Sequence, residues 1–179
     1  MIKKVILVVS VIFSVISSML GSAYLLLFVL GLPPNLLFPL PIRLIGIFVV
    51  AVGFGFLGWT LIYRKPVEVM ESTYVTIVKA IKRLKVEKNL GRTEPLVILG
   101  PYKYVRNPQY FGACLLLIGW WLLLDYTFLF LGSLFLFLWF RFVLIPFEEK
   151  ELVAIFGEQY KDYMRQVPSI IPFTNIFRG

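Results

Sequence analysis

The chain has 179 residues, of which 59% are hydrophobic and 16% are charged, and its mean hydropathy is +0.86. This composition excludes a water-soluble globular domain and is typical of an integral membrane protein. The sequence has no histidine and one cysteine, Cys114. Imidazole catalysis, a His-ligated metal and an intrachain disulfide are therefore excluded for this chain.

Two long uncharged runs near the amino terminus predict the first two membrane spans. They extend from Val5 to Leu32 and from Leu44 to Tyr63, and each reaches the ~20 residues that a helix needs to cross the hydrocarbon core. The first run continues past its small residues, so we interpret it as a retained span and not as a signal peptide. The prolines between the runs predict a turn, which makes the two spans an antiparallel pair.

The segment from Arg64 to Arg106 is mixed in composition and rich in cations. Apolar residues recur in it at steps of three and four, which predicts a basic amphipathic helix on the membrane surface. These residues are Met70, Tyr74, Ile77, Val78, Ile81 and Leu84, and Asn89-Leu90-Gly91 indicates the end of the helix.

Two further apolar runs, Pro108 to Leu124 and Tyr126 to Ile145, are separated only by Asp125 and predict a tight helical hairpin. The first is close to the shortest length that crosses a bilayer, about 17 residues. The predicted fold class is all-α integral membrane, with about four transmembrane helices in two hairpins, a cytoplasmic amphipathic helix and a cytoplasmic carboxyl-terminal helix. Within this single domain, 1–179, we distinguish a span pair (1–63), a loop (64–99) and a core (100–179).

The positive charges predict the orientation. All but two of the 18 Lys and Arg residues, Arg43 and Arg141, lie on one side of the predicted spans. By the positive-inside rule, both termini, the large loop and any site beside them are cytoplasmic. The same charge is expected to attract anionic membrane lipid, and a nucleic-acid partner is not expected because no soluble basic domain is present.

The second span contains Gly53-Phe54-Gly55-Phe56-Leu57-Gly58, which has the spacing of a dinucleotide-binding fingerprint. That fingerprint requires a preceding strand and a helix start, whereas these glycines lie in the middle of a predicted membrane helix. Close approach of a neighbouring helix is the favoured interpretation. Space for a cofactor or a lipid tail is the alternative.

The segment from Gly100 to Tyr110 combines two prolines, a glycine, three tyrosines and two cations immediately before a membrane helix. The prolines predict a rigid backbone whose free N–H groups point at a ligand. An ordinary interfacial anchor is the alternative, with tyrosines and cations at headgroup depth.

A second polar cluster follows the last span and contains Glu148, Glu149 and Glu151. Ionisable groups at a membrane edge favour a functional interpretation, although glutamates also stabilise a helix amino terminus. Arg141, within the last span, has the same two interpretations: a functional cation, or one that extends to the interface.

The two clusters, in this order, resemble the superfamily of isoprenylcysteine carboxyl methyltransferases and phospholipid N-methyltransferases over about residues 90 to 172. The matching residues are Gly100-Pro101-Tyr102, Arg106-Asn107-Pro108-Gln109-Tyr110, Gly112, Glu148-Glu149, Leu152, Phe156-Gly157, Tyr160, Tyr163 and Val167-Pro168.

The resemblance implies a cytoplasmic pocket for S-adenosylmethionine, closed by the carboxyl-terminal segment and open laterally to a lipophilic methyl acceptor, with no metal. The implied cofactor-binding residues are Glu94, Pro95, Leu96, Val97, Tyr102, Arg106, Asn107, Pro108, Gln109, Tyr110 and Glu148. The predicted catalytic residues are Glu149, as a base if the acceptor is an ammonium, and Arg141, as a substitute for the basic residue that is missing at Leu144.

The chain departs from the superfamily pattern at three positions. Asn107 stands where carboxyl methyltransferases have His, Ser169 stands in place of an Arg, and Leu144 replaces a basic residue that precedes the acidic pair. An amide does not titrate, so Asn107 cannot act as an acid or a base. The predicted function is methyl transfer to a phospholipid amine, a prenylcysteine-like carboxylate or a similar lipid. The alternatives are an NADPH-dependent reductase of the sterol-reductase type and a non-catalytic lipid-binding protein.

Overall fold

The computed structural model describes residues 2–64, 66–67, 74 and 96–172. Throughout these ranges the regular structure is helical, and we number the helices α1 to α5. They are α1 (Ile2–Val29), α2 (Leu40–Tyr63), α3 (Pro108–Leu124), α4 (Thr127–Phe156) and α5 (Glu158–Gln166). A 3₁₀ turn spans Gly100–Lys103, and α4 contains a π turn at Phe140–Leu144. The predicted amphipathic helix lies outside the described residues apart from Tyr74.

Three of the helices, α1, α2 and α4, are long and apolar enough to cross a membrane, and α3 is a shorter apolar helix of 17 residues. Only 6% of the apolar stretch of α1 and 17% of that of α2 is buried within the protein. The outward surfaces of these helices are rich in exposed Leu, Ile, Val and Phe, as expected for contact with lipid. The predicted all-α membrane fold is confirmed.

Helices α2 and α3 pack closely in antiparallel directions at two glycine pairs. A Cβ on Gly46 would lie 2.6 Å from the backbone N of Leu123, and one on Gly119 would lie 3.1 Å from the carbonyl oxygen of Gly46. Gly53 and Gly112 form the second pair, about two helical turns further along α2. By contrast, a Cβ on Gly55 or Gly58 would have no atom of the described residues within 4 Å. Among the described residues, the predicted packing role thus holds for Gly53 and not for Gly55 or Gly58.

Helix α1 packs against α4. Gly132 of α4 receives the Leu20 side chain, and the Tyr24 and Phe128 rings meet edge to face with centroids 6.2 Å apart. Although α1 and α2 are consecutive in the chain, each has its main contacts with a helix of the second hairpin. The two predicted spans are therefore consecutive in the chain, but each packs mainly against another helix. The reason is that the glycines that permit close approach lie on α2, α3 and α4.

The two turns at one end of the molecule are bonded to each other. Asp125 is 1% exposed, and its carboxylate accepts hydrogen bonds from the N–H groups of Leu36, at 3.0 Å, and Phe38, at 2.9 Å. Thr127 donates from its hydroxyl to the Pro33 carbonyl oxygen at 2.7 Å. These bonds pair backbone groups of the turn between α1 and α2 with side chains at the turn between α3 and α4. The two polar clusters lie at the opposite end of the helices.

Candidate active site

The two polar clusters meet at the other end of the molecule, close to the expected membrane edge. Glu148 lies 21 residues beyond Thr127, the first residue of α4. At ~1.5 Å per residue this is roughly 31 Å, about the thickness of the hydrocarbon core. Residues 96–107, the last turns of α4, and α5 surround this position.

The segment before α3 is shaped by Gly100 and Pro101. Gly100 has φ of 59°, and a Cβ there would overlap the Tyr63 ring. A glycine is therefore required both for its conformation and for the close contact. Pro101 lies in the 3₁₀ turn, and its carbonyl oxygen accepts from the N–H groups of Tyr104 and Val105. This turn brings Arg106 and Asn107 alongside the carboxyl-terminal segment.

The backbone N–H groups of Arg106 and Asn107 bind that segment. They donate to the carbonyl oxygens of Pro168, at 2.9 Å, and Ser169, at 3.1 Å. The prediction that the free N–H groups of this loop point at a ligand is therefore wrong for these two residues. The physical reason is that the chain leaves α5 with an extended residue, Val167, and the carbonyl groups that follow it face the loop and accept these bonds.

The Arg106 guanidinium connects three parts of the chain. Its Nε and Nη2 donate to Glu149 Oε1 at 2.9 and 2.8 Å, and its Nη1 donates to the carbonyl oxygens of Met164 and Val167 at 2.7 and 2.6 Å. The side chains of Arg106 and Glu149 are only 9% and 13% exposed. Arg106, a predicted cofactor ligand, and Glu149, a predicted catalytic base, are thus each other's partner.

Asn107 is 6% exposed and also binds the carboxyl-terminal segment. Its Nδ2 donates to the Ser169 carbonyl oxygen at 3.1 Å and lies 3.4 Å from the Ser169 hydroxyl. That hydroxyl is 3.5 Å from Glu149 Oε1. Asn107 and Ser169, two of the three departures from the superfamily pattern, therefore lie in one hydrogen-bonded cluster with the Arg106–Glu149 pair.

Glu148 faces α3. Its Oε1 accepts a hydrogen bond from the Tyr110 hydroxyl at 2.8 Å, and the Tyr110 ring packs on Phe140 with centroids 4.5 Å apart. The sequence predicted both Tyr110 and Glu148 as cofactor ligands, and the structure brings them together.

Two buried tyrosines of α5 cover the cluster from the other side. Tyr163 donates from its hydroxyl to the Tyr102 carbonyl oxygen at 2.6 Å. Burial raises the pKa of Tyr160, with a further increase from the Glu149 charge, and burial likewise raises the pKa of Tyr163. Both phenols therefore stay protonated at neutral pH, and they act as donors and packing groups.

The remaining predicted residues have different surroundings. Leu96 packs with the buried cluster of Tyr160, Tyr163 and Val167, and Val97 beside it is half-buried. Pro108 is buried at the start of α3. Glu94 and Pro95 lie outside the described residues. Arg141 is exposed, with its guanidinium 5.6 Å from the centre of the Phe142 ring. Its predicted catalytic role stays a prediction.

Gln109 provides an observation that points to a ligand. Its Oε1 is buried and has no hydrogen-bond partner among the described residues. An unpaired buried acceptor costs free energy, and a bound N–H or O–H group would remove that cost. A nucleoside or amino-acid group offers such donors.

Sequence reasoning did not single out Phe140 or the carbonyl groups of Met164 and Val167. A backbone carbonyl carries no side-chain signal, so only the fold reveals that contribution. Phe140 stands in a run of aromatic and aliphatic residues, where hydrophobicity alone does not distinguish it from its neighbours.

The fold and the site together define an all-helical membrane protein with a buried polar cluster at one membrane edge. The family profile of phospholipid methyltransferases matches residues 90–159, which contain the Gly100–Tyr110 segment and the glutamate pair. The superfamily resemblance predicted from the sequence is thereby confirmed for this region.

Three curated relatives are similar to part of the chain. Methanethiol S-methyltransferase of Crocosphaera subtropica is 43% identical over 76 residues, which is 40% of this chain and 27% of the relative. Protein-S-isoprenylcysteine O-methyltransferase of Schizosaccharomyces pombe is 41% identical over 78 residues, 43% of this chain and 33% of the relative. Protein-S-isoprenylcysteine O-methyltransferase B of Arabidopsis thaliana is 34% identical over 80 residues, 45% of this chain and 41% of the relative.

The chain thus spans less than half the length of each of these relatives. No solved structure shows significant similarity to it.

Proposed function

We propose that this protein transfers a methyl group from S-adenosylmethionine to a lipophilic acceptor dissolved in the membrane. The observation that carries the proposal is the meeting of Tyr110 and Glu148, next to the Arg106–Glu149 cluster, at the membrane edge. The names of the family and of the three relatives all specify methyl transfer, which supports this function over the reductase and lipid-binding alternatives.

The residues present fit such a donor molecule. The Glu148 carboxylate can accept hydrogen bonds from amino or hydroxyl groups, and the buried Gln109 Oε1 offers a further acceptor. Tyr102, Asn107, Pro108 and Tyr110 form the surrounding wall, with Leu96 and Val97 on its apolar side. We propose the same role for Glu94 and Pro95.

S-adenosylmethionine supplies a methyl group already activated by a sulfonium, so the acceptor's lone pair forms the new bond while the sulfur keeps the old bonding pair. The task of the protein is then to align the partners and exclude water. Alignment alone can contribute roughly 7–11 kcal/mol to lowering the barrier. The helices at the membrane edge exclude water, and no histidine is required for such chemistry.

The Arg106–Glu149 pair fixes the wall of the site. Because Glu149 accepts two hydrogen bonds from the guanidinium, we assign it mainly a positioning role, with removal of a proton from an ammonium acceptor as the alternative. A thiolate or carboxylate acceptor would need no such base. We propose a cytoplasmic site, because the positive-inside rule puts the cations that flank it in the sequence, such as Lys103 and Lys150, on the cytoplasmic side.

Equilibrium binding of radiolabelled S-adenosylmethionine and of NADPH to detergent-purified protein tests the proposal. Binding of the first ligand alone is expected. NADPH binding alone would favour the reductase, and binding of neither would favour a non-catalytic protein. Methyl transfer to native lipid extract, a prenylcysteine analogue and a small thiol, followed by mass spectrometry of the labelled product, then identifies the acceptor.

A further inference from the structure

The π turn in α4 adds one residue to the helix just before the site. The Ile145 N–H donates to the carbonyl oxygen of Phe140, five residues earlier, instead of the usual four. Such turns arise when a single residue is accommodated within an otherwise regular α-helix. The membrane-embedded part of α4 and its polar end are therefore out of the register that an uninterrupted helix would give them.

The added residue determines which side chains share a face. Phe140 and Glu148 are eight residues apart, and both contact Tyr110. In a regular helix, at about 100° per residue, they would point roughly 80° apart. With one residue absorbed by the π turn they behave like residues seven apart, which differ by only about 20°.

The burial pattern agrees with this register. Phe140 is 7% exposed and Ile145 is 1% exposed, whereas Phe142 and Val143 between them are 67% and 54% exposed. The two buried residues are five positions apart and face inward together. The intervening residues carry the extra length on the outer surface.

We propose that the π turn sets the register that brings Glu148 to Tyr110, and that Tyr110 and Phe140 are positioning residues which orient the Glu148 carboxylate toward the methyl donor. The part that concerns the donor rests on the proposed function. The part that concerns register stands on the geometry alone.

Deletion and insertion at the π turn give opposite expectations. Deleting Val143 converts the turn to regular α-helix and keeps Phe140 and Glu148 on one face, so affinity for S-adenosylmethionine is expected to stay within about threefold of wild type. Inserting one alanine after Phe142 rotates Glu148 away from Tyr110 by about 100°, and affinity is expected to fall more than about tenfold. Deleting Phe142 instead of Val143 is the matched control and is expected to behave like the first deletion.

A second readout does not depend on the ligand. Tyr110→Cys and Glu148→Cys, combined with Cys114→Ala, are treated in native membranes with a short bifunctional thiol reagent. Cross-linking is expected in the wild-type and deletion registers and is expected to be lost with the insertion. If S-adenosylmethionine does not bind the wild type, the proposed function fails while this measurement still tests the register.

The substitution Tyr110→Phe tests positioning directly, because it keeps the ring against Phe140 and removes only the hydroxyl. The KM for S-adenosylmethionine is expected to rise about tenfold or more, with kcat at saturating donor changed much less. The register proposal would be overturned if the deletions lost cross-linking or affinity as strongly as the insertion. It would also be overturned if the insertion kept both cross-linking and affinity. An unchanged KM in Tyr110→Phe would overturn the positioning role.

Discussion

Both Nε and Nη2 of Arg106 donate to a single oxygen of Glu149, at 2.9 and 2.8 Å, although the two residues are 43 positions apart in the chain. The contact joins the loop before α3 to the polar end of α4. Through Nη1, the same guanidinium holds two carbonyl groups of the carboxyl-terminal region. The guanidinium of Arg106 therefore holds the loop before α3, the polar end of α4 and the carboxyl-terminal region together on one side of the candidate site.

Glu149→Gln separates a structural role from a catalytic one. Removing one partner of a buried ion pair leaves the other charge uncompensated, which costs about 3–5 kcal/mol. We expect a lower unfolding temperature in detergent together with reduced methyl transfer. Arg165→Ala, which removes an exposed ion pair with Asp162, is the control and should leave the unfolding temperature nearly unchanged. Lost activity with normal stability would instead indicate that Glu149 is a base.

Glu148→Ala tests the proposed ligand of the methyl donor. A hydrogen bond to a charged group is worth roughly 1.5–3 kcal/mol, so affinity for S-adenosylmethionine should fall about tenfold to a hundredfold or more. Expression and helix content by circular dichroism should not change. Glu158→Ala is the matched control, because that carboxylate is exposed at the start of α5. Equal affinities in the two variants would remove Glu148 from the site.

Alanine substitutions along the glycine positions should have graded effects on stability. Gly46→Ala places a Cβ 2.6 Å from backbone and forces α2 and α3 apart, an overpacking that typically costs about 1–3 kcal/mol. Gly53→Ala meets the Leu116 side chain at 3.0 Å and the Leu116 backbone N at 3.1 Å, contacts less short than that of Gly46, so a smaller loss is expected, with unchanged donor affinity. Gly58→Ala places a Cβ more than 4 Å from every other described residue it could meet, so it should not destabilise the helix. Unfolding in detergent provides the ranking, and a selective loss of donor affinity in Gly53→Ala would assign that glycine to the site.

Stability should fall at alkaline pH because of the buried tyrosines. The pKa values of Tyr160 and Tyr163 are raised in the folded protein by burial, so folding favours the protonated phenols. Their contribution is complete below the unfolded pKa of about 10 and is lost as pH rises through the folded values. Unfolding temperature measured from pH 8 to 11 should therefore drop above about 10. Tyr160→Phe should make the decline shallower, and an unaltered slope would show that other groups cause it.

The membrane class, the helical spans and the residues of both polar clusters could be predicted from the amino-acid sequence. Long uncharged runs have few alternatives to a helix in a bilayer, because every backbone polar group must be satisfied internally. The segment Arg106-Asn107-Pro108-Gln109-Tyr110 and the pair Glu148-Glu149 were identified from their resemblance to the superfamily pattern, because their composition alone also fits an interfacial anchor. The hydrogen-bond partners of these residues could not be predicted from the sequence.

The fold shows that Arg106 binds Glu149, that Asn107 binds Ser169, and that Tyr110 contacts Glu148. The first pair is 43 positions apart in the chain, and the second uses a backbone carbonyl group, which any sequence position can supply. The third depends on a single residue absorbed within α4, and hydrophobic patterning does not reveal such a change in register. Which face of a helix meets which loop is a property of packing, and packing is resolved only when the helices are placed together.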